Sequence, residues 1–219
     1  MNAVLTVPSF APATVARPLS SAGLLRASGE GNLTPEDVMG CLVGGGVASL
    51  AVSATGLNVL AHEAGHAVSV SALFENANPT ISITPMKGGV TSWNPSGGLS
   101  ELGESIGLGG SRAIVSGAGA IVDTAIAMTT FAAGYKLRKS HPILGRTLMG
   151  YAGMTMLNDI LYAGTALVGN AAALAAKGND FASLAVHAGI PPIAAIAIMA
   201  AVLPAEYLLL RALERARTP

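Results

Sequence analysis

The sequence predicts an all-α polytopic membrane protein with four to five transmembrane helices and a small membrane-associated β-hairpin. Three observations carry that expectation: charge is scarce, it is confined to short segments, and small residues abound. Charged residues make up 11% of the 219 and apolar ones 51%, with 27 glycines, whereas soluble domains carry about 25% charge. Between Val38 and Phe74 the one charge is Glu63. Ala113–Tyr135 holds Asp123, Thr147–Ala176 holds Asp159, and Phe181–Leu210 holds Glu206. A helix crosses about 30 Å of hydrocarbon with roughly 20 apolar residues, so each stretch is long enough. Glycine and alanine let helix backbones approach closely in lipid.

The same composition excludes other classes. Twelve basic residues balance twelve acidic ones, which argues against a nucleic-acid binder. The apolar content excludes disorder. A single cysteine, Cys41, excludes a disulfide framework and any Cys-rich zinc module.

In chain order, residues 1–36 read as a mobile tail, too interrupted for a signal-peptide core. A membrane domain follows over 37–211, with a hairpin region at 76–110 and a short C-terminal tail at 212–219. The first charge-poor stretch is 37 residues, about 55 Å as a helix. It is either one long tilted helix or it breaks near Ser53-Ala54-Thr55-Gly56, hence four helices or five. Thr80 to Thr84 alternates like a strand, Lys87-Gly88-Gly89 is a turn, and Val90 to Trp93 reads as the returning strand. Lys136, Arg138, Lys139 and Arg146 share one short loop region, and Arg211, Arg215 and Arg217 follow the last span. The positive-inside rule puts both clusters on the cytoplasmic side and residues 76–110 opposite, in a multi-pass protein of the cell membrane.

Chemistry concentrates in His62-Glu63-Ala64-Gly65-His66. Residues i and i+4 share a helix face, so both imidazoles can ligate one metal, with Glu63 placed to act as base on a water there. Ionisable residues inside a membrane are costly and point to function. Zinc in hydrolytic sites takes three protein ligands, so a third is expected. Asp159 is preferred because its mid-span carboxylate needs a strong partner. Asp180, just before the final span, is the alternative. Asp123 ranks behind both, and His141 and His187 sit in less suitable places.

These residues resemble the site-2 protease family of intramembrane zinc metalloproteases. The matching features are His62 to His66, the hairpin Ile81 to Trp93, Ala118-Gly119 and Asn158-Asp159, together spanning about residues 55–200. Asp159 is followed by Ile160 where the family has glycine, and Asn179-Asp180-Phe181 looks similar to a divergent branch with an aspartate there. The resemblance implies a Zn2+-dependent endopeptidase that cleaves transmembrane or membrane-proximal segments of membrane-protein substrates in the lipid bilayer. Glu63 would be its catalytic base, Asn158 a carbonyl-holding residue, and His62, His66 and Asp159 (or Asp180) its ligands. A regulatory membrane partner would be unidentified. The alternative is a non-catalytic protease-like scaffold or a metal transporter.

Overall fold

A computed structural model describes residues 33–217 of the chain. The expected mobile tail therefore lies, for residues 1–32, outside the described residues. Helix α1 (Pro35–Thr55) opens with a capping box: the Thr34 side chain accepts from Asp37 N–H, and Asp37 accepts in return from Thr34 N–H at 2.8 Å. Such reciprocal capping satisfies donors that the first turn leaves free.

Gly56, at φ 75°, ends α1 and starts α2 (Leu57–Leu73). Left-handed backbone is accessible to glycine at little cost, so the long stretch breaks there rather than running as one helix. The hairpin follows as β1 (Thr80–Thr84) and β2 (Gly88–Ser92), antiparallel with Thr80 opposite Ser92. Its turn is tied to the end of α1 by Met86 N–H donating to Ser53 O. A short α3 (Glu101–Ile106) leads into α4 (Leu108–Leu137), then α5 (Pro142–Thr165), α6 (Ala171–Ala175), α7 (Asp180–Ala188) and α8 (Pro192–Arg217).

Among the described residues three helices, α1, α4 and α8, are long and apolar enough to cross a membrane. The sequence led to an expectation of four or five. The Gly56 break leaves α2 at 17 residues, and α5, although 24 residues long, is diluted by Arg146, Asn158 and Asp159. Helix α8 also runs to Arg217, so the tail expected from residue 212 is helical through Arg217.

Apolar side chains of α1 (Leu42, Val43, Val47, Leu50) and α8 (Ile193, Ile198, Leu208, Leu209) stay exposed, as lipid-facing surfaces do. Their inner faces pack through small residues. A Cβ on Gly150 of α5 would stand 1.8 Å from the Cys41 carbonyl oxygen of α1. Two clusters of buried residues position the polar interior. Val70 and Leu73 of α2, with Phe74 just beyond its end, pack with Val115 of α4. Phe181 and Ala182 pack with Ala163, Ala166 and Met199, which pins the start of α7 against α5 and α8.

Candidate metal centre

His62 and His66 stand one turn apart on α2, facing α4. Two glycines permit the approach: a Cβ on Gly65 would meet the Ala118 carbonyl at 2.7 Å, and one on Gly119 would meet His62 Nε2 at 2.4 Å. Each histidine is oriented through Nδ1. His62 Nδ1 donates to Asp123 Oδ2 at 2.6 Å, and His66 Nδ1 donates to the Val115 carbonyl, also at 2.6 Å. A carbonyl only accepts, so His66 carries a proton on Nδ1, and the neutral ring leaves Nε2 as a lone pair. Pairing with a carboxylate fixes His62 the same way.

The two Nε2 atoms are 3.1 Å apart, and Asp180 Oδ2 lies 3.4 Å from each. With both rings neutral, three acceptors converge with no proton of their own to share. Ligand atoms about 2.0–2.1 Å from a tetrahedral ion stand about 3.3–3.4 Å from one another, close to these edges. His62, His66 and Asp180 can hold a metal ion, and the donor set suits one that accepts both imidazole and carboxylate.

Asp180 reaches the histidines because it is the first residue of α7. Asn179 caps that helix by accepting from Ala182 N–H at 2.9 Å, and its Nδ2 donates to Thr165 Oγ1 at the end of α5. Tyr162 braces the carboxylate: its hydroxyl donates to Asp180 Oδ2 at 3.3 Å and accepts from Asp180 N–H at 3.2 Å.

Glu63 is 6% exposed and faces the hairpin. Thr91 Oγ1 of β2 donates to Glu63 Oε2 at 2.7 Å. Gly89 lies so close above it that a Cβ would stand 2.7 Å from Glu63 Cγ. A cavity of about 860 Å³ joins these groups, lined among others by His62, Glu63, His66, Asp123, Asn158, Asp159 and Asp180. Its level is set by Asp123, 15 residues from the start of α4 and 14 from its end. That leaves about 21 Å of helix on either side.

Asp159, the preferred third ligand from sequence, is buried on α5 at 3% exposure with Oδ2 unpartnered among the described residues. It lines the cavity but stands outside the converging group; Asp180, the alternative, is the carboxylate that joins the histidines. The physical reason is topological: Asp159 is held within α5, whereas Asp180 is the first residue of a new helix whose start is pinned against α5 and α8. Asn158 is exposed to the cavity. His141 caps α5 at the far end of that helix, and His187 lines the cavity without joining the group. Sequence reasoning missed the bracing roles of Asp123, Tyr162 and Thr91. Asn179 followed by a short helix and Pro191-Pro192 was the available sign of a helix beginning inside the fold.

Comparison with protein-family models, with curated proteins and with solved structures returns no match. The site is therefore read from its own chemistry.

Proposed function

We propose that the chain is a membrane-embedded zinc endopeptidase acting on membrane-protein segments, with α1, α4, α5 and α8 as its four passes. The observation that supports this most is the convergence of His62, His66 and Asp180 within 4.8 Å, with Glu63 on the wall of the same cavity. A zinc ion held by those three residues would supply Lewis acidity and a water whose pKa falls toward about 7. With zinc held there, Glu63 would be the base for the attacking water and the proton donor to the leaving amine, and the Thr91 hydroxyl, 2.7 Å from Glu63 Oε2, holds that carboxylate in place. Asp123 keeps His62 in the tautomer that presents Nε2. Asn158, exposed to the cavity, offers its amide to the substrate carbonyl. An extended substrate segment can pair with an open edge of the hairpin, which exposes the peptide bond that a helix would hide.

One feature favours the second reading, a metal transporter: Asp180 sits at the start of a half-length helix after a broken stretch, an arrangement transporters also use. The full chain, purified in detergent and in nanodiscs, separates the two. Zinc is measured by atomic emission, and cleavage is followed with fluorogenic apolar peptides. About one zinc per chain is expected in both the unmodified protein and Glu63→Gln, with cleavage in the former and a loss of at least about a hundredfold in the latter. Zinc-free protein, or undiminished cleavage by Glu63→Gln, refutes the peptidase reading.

A further inference from the structure

Arg112 has no carboxylate partner among the described residues. It stands in the second turn of α4, at the end where the helix dipole is positive, so its charge does not serve the helix. What it does is line two cavities at once. One is the central cavity; the other, of about 320 Å³, is walled by Phe74, Trp93, Leu99 and Leu108, and Trp93 and Arg112 face both. Arg112 is three residues before Val115, whose carbonyl orients His66, hence about 4.5 Å along the helix. Lys87, in the hairpin turn, adds a second cation to the central cavity's wall. Peptide in extended form advances about 3.3 Å per residue, so an offset of that size is spanned by about one to two substrate residues.

We propose that Arg112 is a specificity-determining residue that binds a carboxylate of the peptide substrate, with an apolar substrate side chain lodged beside it among Phe74, Trp93, Leu99 and Leu108. This rests on the peptidase reading above. Guanidinium presents paired donors in a plane matched to a carboxylate, and such charge-assisted bonds are about twice as strong as neutral ones. A headgroup phosphate is the competing anion at this depth. The shared lining with Glu63 and His66 favours the substrate, because an anion there meets peptide bound in the same cavity.

The test measures binding rather than turnover. The zinc-loaded full chain carrying Glu63→Gln is placed in zwitterionic nanodiscs, and fluorescence anisotropy follows four labelled dodecapeptides of Ala, Leu, Gly and Ser. Three are amidated and carry a central Glu, Gln or Lys; the fourth is the Gln peptide with a free C-terminal carboxylate. The Glu peptide is expected to bind about tenfold or more tighter than the amidated Gln peptide, with the Lys peptide weakest. Arg112→Gln levels the three, and Arg112→Glu reverses the order in favour of Lys, a result misfolding cannot produce. Tight binding of the fourth peptide assigns the carboxylate to a chain end as well as a side chain. Equal or undetectable binding of all four, as when lipid phosphate occupies Arg112, overturns the proposal. Cleavage of the Gln peptide by the unmodified chain reports on the peptidase reading separately: its absence sinks that reading, whereas charge-blind binding sinks this one alone.

Discussion

Where α5 begins and α8 ends, Arg138 and Lys139 reach Glu214 at 2.7 and 2.6 Å, and Arg146 reaches Asp37 at 2.7 Å. At the level of Asp123, by contrast, Glu63, Asp123, Asp159 and Asp180 share one cavity with His62 and His66. The first region matches each of these carboxylates with a cation from the chain itself, at a surface where solvent also helps. The second sets four carboxylates beside two imidazoles whose Nδ1 protons are already committed, and although Lys87 and Arg112 stand on the cavity wall, no lysine or arginine pairs with any of the four among the described residues. Ionised together, those carboxylates would carry four negative charges in a poorly solvated place, and uncompensated buried charge costs several kcal/mol per group. A divalent ion at His62, His66 and Asp180 removes half of that excess. The same residue type thus serves architecture at one end and chemistry in the middle.

The contrast breaks most sharply if the central cation is lost. His66→Ala and Asp180→Ala are each expected to purify with less than about a tenth of the zinc of the unmodified chain and to cleave nothing. Asp159→Asn should keep zinc at about one per chain, because Asp159 stands outside the converging group. Zinc lost from Asp159→Asn and retained in Asp180→Asn would return the third ligand to α5. Metal analysis of the purified variants decides between the two.

A smaller effect is expected one step out from the metal. Asp123→Asn preserves shape but replaces the carboxylate that His62 Nδ1 reaches at 2.6 Å. Partners of this kind typically contribute about 10- to 100-fold in metal affinity. Competition with a chromophoric chelator should show a loss in that range without loss of stoichiometry at saturating zinc. Unchanged affinity would mean that Asp123 does not tune the site.

The two carboxylates Asp159 and Asp180 also show what a sequence can and cannot reveal. His62, Glu63 and His66 are legible because a helix fixes i and i+4 on one face whatever surrounds it. The hairpin is legible from alternation and turn residues, and the break at Gly56 from the mismatch between 37 residues and one bilayer crossing. Asp180 ranks second from sequence, since depth is inferred by counting along uninterrupted spans. The chain instead breaks after Thr165 and starts a new helix at Asp180, so sequence distance from a span's end carries no information about depth there. Thr91 and Tyr162 are out of reach for a related reason. Each acts across a contact between elements far apart in sequence, and neither residue type announces a partner.

Gly119→Ala tests whether the closeness of α2 and α4 serves the site or the fold. Alanine for glycine within a helix gains about 1 kcal/mol of propensity, whereas the added Cβ would stand 2.4 Å from His62 Nε2. The ring must swing away, so zinc affinity is expected to fall by about tenfold while thermal stability changes by no more than a few degrees. An equal loss of both would make Gly119 a packing residue.

The smallest effect belongs to the matched end. Glu214→Gln removes one carboxylate from two basic partners, Arg138 and Lys139. Lys139 is 69% exposed and Glu214 34%, so solvent and salt screen that pair, and Arg138, at 12%, is the less screened partner; exposed ion pairs contribute about 0–1 kcal/mol. Glutamine can still accept from Arg138 and from the Tyr135 hydroxyl, now 2.8 Å from the carboxylate, which retains part of the contact. A melting shift of about 2 °C or less is expected, shrinking further at high salt, with zinc content unchanged. A shift several times larger, insensitive to salt, would mean that the end of α8 is held by charge after all. The difference between the two regions would then be one of degree.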